Sequence, residues 1–162
     1  MIEERILAAK QYVKTLFADR ADGHDVAHTL RVYSNAMRIA QAEGLCDLEI
    51  VGLSALLHDA DDYKLFQTEN NANARMFLEE IGVPKKQIDQ ICRVINAVSF
   101  SKNRSKQPET LEGKIVQDAD RLDAIGAVGI ARTFSYGGHK GRPLTDTCLL
   151  YTSPSPRDST SS

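Results

Sequence analysis

Residues 47–62 read DLEIVGLSALLHDADD, and this stretch decides the fold. Asp47 is placed to cap a helix, because its short carboxylate can accept from the orphan amides of a first turn. The segment that follows is almost wholly apolar. A helix without a polar face is buried on all sides, so it should run through the centre of its domain. It leads directly into His58, Asp59, Asp61 and Asp62, groups that are uncomfortable in poor solvation unless paired or bound to a cation.

The flanking sequence repeats the helical period. Ile2, Ile6, Leu7, Val13, Leu16 and Phe17 share one face of an N-terminal segment. After a turn at Asp22 and Gly23, with Asp25 as cap, a second helix is expected from Val26 to Glu43, stopped by Gly44. The HDADD run should continue the central helix to about Ala60, with a loop or short turn following. Further helices are expected from Asn71 to Glu80, from Pro84 to about Val98, from Glu109 to Ile125 and from Val128 towards Tyr136. Residues 99–110, SFSKNRSKQPET, read as a polar loop. No alternating strand pattern and no internal repeat occurs, so the expectation is a single all-α helical bundle over residues 1–144.

Residues 145–162, TDTCLLYTSPSPRDSTSS, have another character. Their Ser, Thr and Pro content cannot bury enough surface to order itself. They resemble translated sequencing-adapter read-through, which makes a disordered, non-native tail on a C-terminally truncated domain the expectation. The whole chain has 162 residues, is 42% hydrophobic and 26% charged, and carries a net charge of -2. That balance excludes a nucleic-acid-coating or membrane-surface protein, though not a small anionic ligand. Three cysteines in no CxxC pair form no zinc framework and suit a reducing compartment. The first residues lack the basic and apolar regions of a signal peptide, so a cytoplasmic protein is expected.

Chemistry-bearing side chains gather on three of these helices. His24 and His28 are one turn apart at the start of the second; His58 and Asp59 close the third. Asp118, Asp120 and Asp123 lie on an otherwise apolar helix, with Asp120 and Asp123 on one side at i, i+3. Two imidazoles and two carboxylates converging from three helices would suit a divalent ion such as Mn, Fe, Co, Ni or Zn, and Ca less well.

The phrases GHDVAHTLRV, LLHDADDYK, VSFSKN, QDADRLDAIGAVGIARTF and GGHKGRPL, spread from about Ile6 to Leu144, resemble the HD-domain metal-dependent phosphohydrolases, in particular the small stand-alone bacterial ones. The resemblance implies an HD-domain helical bundle with His28, His58, Asp59 and Asp120 as metal ligands, Asp118 being the alternative to Asp120. No further His pair lies between the central motif and Ser99, which argues for one metal. Manganese is the ion the resemblance favours, with Mg, Co, Ni, Fe or Zn as alternatives. His24 and Asp118 would support the ligands from behind.

The implied activity is hydrolysis of a small phosphorylated metabolite, a nucleotide above all, in the manner of a nucleoside triphosphate pyrophosphohydrolase. A divalent ion would lower the pKa of its water and polarise the phosphoryl group. Asp62 or Asp123 would take the proton, beside Asp59. Arg31, Lys64, Lys102 and Arg121 would meet phosphate, and GGHKGRP would add a glycine-rich cationic loop with His139, Lys140 and Arg142. The alternatives are a phosphomonoesterase or cyclic phosphodiesterase using the same ligands, and a non-catalytic metal-bearing nucleotide sensor. Neither a nucleic-acid polymer nor a membrane is an expected partner, and the sequence leaves the oligomeric state open.

Overall fold

The computed structural model describes residues 2–18, 26–62, 66–98 and 107–143. Among them are seven helices: α1 (Ile2–Leu16), α2 (Val26–Glu43), α3 (Leu48–Leu57), α4 (Ala72–Glu80), α5 (Lys85–Val98), α6 (Leu111–Asp123) and α7 (Gly126–His139). Strands are absent from the described residues, as the missing alternation implies. No helix there is long and apolar enough to cross a membrane.

Helix α3 is the axis of the bundle, packed against α1, α2, α5 and α6. Every residue from Glu49 to Leu57 is buried. Glu49 is tolerated because Arg5 Nη1 and Gln87 Nε2 each donate to its carboxylate at 2.9 Å. Asp47 caps the helix as expected, accepting from the Glu49 and Ile50 amides at 2.9 and 3.1 Å. Asp47→Ala should therefore lower unfolding free energy by about 1 kcal/mol, a loss measurable by urea denaturation; an unchanged midpoint would remove the cap from the account.

Helix α2 buries a stripe of His28, Val32, Ala36 and Ala40, four residues apart. Its small members let α3 and α6 approach closely, and they place His28 at one end of the core. Gly44 ends the helix with φ at +74°, a backbone conformation costly for other residues.

Two boundaries differ from expectation, with consequences for the site. Helix α3 stops at Leu57, and residues 58–61 turn instead of extending the helix to Ala60. Asp61 ties the turn to α4: it accepts from the Asn73 and Ala74 amides at 2.9 and 3.0 Å, and Asn73 Nδ2 donates to the Ala60 carbonyl at 2.8 Å. The start of α4 is thus capped from the turn, which is clamped in place. Helix α7 also begins earlier than expected and ends later, taking Gly137, Gly138 and His139 into its last turn. The expected glycine-rich loop is therefore shorter and starts at Lys140. Helix α7 lies against α6 and buries only Gly129, while Ile130 and Phe134 are more than half exposed.

Candidate metal centre

His58, which keeps helical dihedrals at the end of α3, and Asp59 in the turn after it meet at one point. Adjacent residues inside a helix diverge by about 100°, whereas His58 Nε2 and Asp59 Oδ2 lie 3.3 Å apart in the turn. From the buried stripe of α2, His28 Nε2 lies 3.3 Å from His58 Nε2 and 3.6 Å from Asp59 Oδ2. From α6, Asp120 Oδ1 lies 3.5 Å from His28 Nε2 and 3.8 Å from His58 Nε2. Donors bound at about 2.1 Å to one ion are separated by about 3.0 Å at octahedral right angles and about 3.4 Å at tetrahedral ones. The separations, 3.3 to 3.8 Å, lie at or somewhat above these edges. His28, His58 and Asp120 offer donors that all lie within 4.8 Å of one another, and Asp59 joins them through its contacts with the two imidazoles.

The orientation of the imidazoles makes the fit chemical as well as geometric. His58 Nδ1 is 2.9 Å from the Ala55 carbonyl, which only accepts, so Nδ1 carries the proton. His28 Nδ1 is 2.7 Å from Asp123 Oδ2 and donates to that carboxylate in the same way. Both Nε2 lone pairs consequently point inward at one another. Such an arrangement is repulsive unless a cation or a proton lies between them, and two imidazole nitrogens with two carboxylates are a donor set for Mn, Fe, Co, Ni or Zn.

Without a metal, one proton serves the pair. Burial pulls His58 down, but Asp59 beside it and Asp120 across from it prevail and push it up to about 10. His28 is held below the ordinary histidine value by burial and by the charge of His58.

The structure gives Asp123 a place other than that of a proton acceptor. Its side chain is 3% exposed, and both oxygens are taken. Beside His28, Arg31 Nε donates to Oδ1 at 2.6 Å and Nη2 to Oδ2 at 3.1 Å, and Arg132 Nη1 donates to Oδ2 at 2.9 Å. Burial alone would raise its pKa, yet Arg31 and His28 win and hold it below the usual carboxylate range. The guanidinium of Arg31 is correspondingly committed to Asp123, although its side chain stays 37% exposed.

The remaining expected residues scatter. Asp118 and Arg121 are exposed on α6, and Asp62 is half-buried just after the turn. Lys140 and Arg142 flank the Tyr136 ring, at 5.7 and 5.5 Å from its centroid. His24, Lys64 and Lys102 lie outside the described residues, as does the tail. Arg132 was not anticipated. Its only sequence signal is a cation nine residues past Asp123 on a helix interrupted by glycine.

Comparison with known proteins gives the family and the fold. Residues 25–125 match the HD domain family model. The chain is 42% identical over 139 residues to the YpgQ protein of Bacillus subtilis, covering 83% of this chain and 67% of that one. A crystal structure of YpgQ in complex with ADP superposes with a TM-score of 0.72 at 37% identity, over 87% of this chain and 72% of the other. A Lactobacillus plantarum protein gives 0.78 at 36%, over 90% and 68%. A Bacillus thuringiensis HD-superfamily hydrolase gives 0.70 at 37%, over 98% and 75%. The chain thus spans about two thirds to three quarters of the length of these relatives.

Proposed function

The chain belongs to the HD domain family and is by that membership a metal-dependent hydrolase; on that premise we propose that it cleaves a phosphate anhydride or ester of a small nucleotide, above all a nucleoside triphosphate with release of pyrophosphate. The observation that carries this reading is the pair of imidazole lone pairs facing each other at 3.3 Å between the carboxylates of Asp59 and Asp120. His28, His58, Asp59 and Asp120 would hold one divalent ion, with manganese favoured. When bound, that ion supplies Lewis acidity and a water of lowered pKa.

The protein's own residues do the rest. Asp120 is the most exposed of the four ligands, at 27%, so substrate approaches from its side. Asp62, half-buried just after the turn, is the carboxylate we assign to take a proton, and Asp123 is assigned to hold His28, Arg31 and Arg132. Arg121 beside Asp120, the exposed part of Arg31, Lys64, Lys102, Lys140 and Arg142 are the cations available to a phosphate chain. The nucleotide preference is supported by YpgQ, which has been solved with ADP. Assaying nucleoside mono-, di- and triphosphates with Mn, Mg, Co or Ni should give metal-dependent turnover with pyrophosphate as product. Orthophosphate alone would move the assignment to a phosphomonoesterase, and no turnover of any phosphoester by fully metallated protein would leave a nucleotide sensor.

A further inference from the structure

We propose that Arg132 of α7 is a positioning residue: acting through Asp123, it fixes the His28 imidazole so that Nε2 faces the metal position, and metal retention therefore depends on α7 staying docked. The inference rests on the metal reading above for its consequence, but not for its geometry. Arg132 Nη1 and His28 Nδ1 meet the same oxygen, Asp123 Oδ2, at 2.9 and 2.7 Å. Arg132 Nη1 also reaches the Asp123 carbonyl at 3.4 Å, which ties the guanidinium to the last turn of α6. A carboxylate behind a ligating imidazole selects its tautomer and orientation. Here that carboxylate is itself held by arginines from two helices, α2 and α7.

Among the described residues, α7 buries only Gly129. At Gly129 its backbone meets the end of α6 so closely that a Cβ there would lie 2.2 Å from the Ala124 carbonyl oxygen. That contact and the Arg132–Asp123 bridge are its described attachments to α6, while much of its apolar surface faces solvent. The bridge is thus a polar connection between α7 and the residues around the proposed metal position.

The sign of the effect separates this proposal from simple electrostatics. Deleting a positive charge near a bound dication should strengthen metal binding on Coulombic grounds. A positioning role demands the opposite. For Arg132→Ala we expect Mn affinity, measured by competition with a fluorescent chelator, to fall about tenfold, with Arg132→Lys recovering part of the loss. In the metal-free protein, imidazole 15N shifts should report a single His28 tautomer, protonated at Nδ1, in the wild type and a mixture in Arg132→Ala. Gly129→Ala should weaken Mn binding with Arg132 intact, because the backbone it strikes cannot yield. Unchanged or tighter Mn binding in Arg132→Ala, or His28 shifts identical to wild type, overturns the proposal. Should the wild type bind no divalent ion, the metal reading fails, and the tautomer measurement still decides the role of Arg132.

Discussion

Replacing His58 or Asp59 with alanine is expected to abolish retention of a divalent ion, with more than the roughly 10–100-fold loss that removing a ligand's hydrogen-bond partner causes. His58 contributes an Nε2 within 3.8 Å of the other three donors, so its loss opens the cluster at its centre. Asp59 places Oδ2 against both imidazoles and would supply one of the two negative charges that balance a bound ion. Elemental analysis of the purified variants measures this directly, and full metal content in either would refute the ligand assignment.

The same variants carry a pH signature in the metal-free state. The His58 pKa is raised from its ordinary 6.5 to about 10, so its charge stabilises the fold fully below pH 6.5. That stabilisation is lost as the pH rises through about 10. The melting temperature of metal-free wild type should fall across this window, and His58→Ala should lack that component of the slope. A metal ion competes with the same proton, so metal binding near neutral pH should release it.

How much of this was legible in the sequence depends on whether the deciding forces are local. The bounds of α2 follow from its four-residue stripe and from Gly44, and the structure has the helix running from Val26 to Glu43. The end of α3 is different. Local propensity carries the helix on to Ala60, whereas the chain turns after Leu57 and Asp61 reaches amides 12 and 13 residues ahead. Nothing in a local window announces that bond. Yet that bond anchors the turn that carries Asp59.

Helix α7 shows the opposite error. Two adjacent glycines read as a loop by intrinsic preference, but the helix continues through Gly137 and Gly138 until Gly141 adopts a φ of +64°. The four proposed ligands could be named from a family resemblance, whereas the support behind them could not. Asp123 is 95 residues from His28 and 92 from Arg31. A carboxylate in a DxD-type helix gives no sign of whether it will face an ion, a proton or two guanidinium groups.

That buried carboxylate supports the largest stability prediction. Asp123→Ala removes the common partner of His28, Arg31 and Arg132, leaving two guanidinium groups turned toward each other beside a buried imidazole. Breaking a buried ion pair from one side costs about 3–5 kcal/mol. Arg31 and Arg132 keep 37% and 24% of their side chains exposed, so rehydration softens the loss toward the lower bound. A loss of about 3 kcal/mol in a domain of this size lowers the melting temperature by about 6–12 °C. The effect has a sign in pH as well. Because the folded pKa of Asp123 lies below its ordinary 3.8, its contribution is present above that value and disappears as the pH falls through the folded pKa. Metal-free wild type and Asp123→Ala should therefore differ most near neutral pH and converge in acid. Asp123→Asn keeps an oxygen acceptor but turns an amide toward one of its donors, and it should fall between the two. A melting difference under about 2 °C at pH 7 would show that the arginines find water as readily as they found the carboxylate, and that Asp123 orients His28 without holding α7 to the bundle.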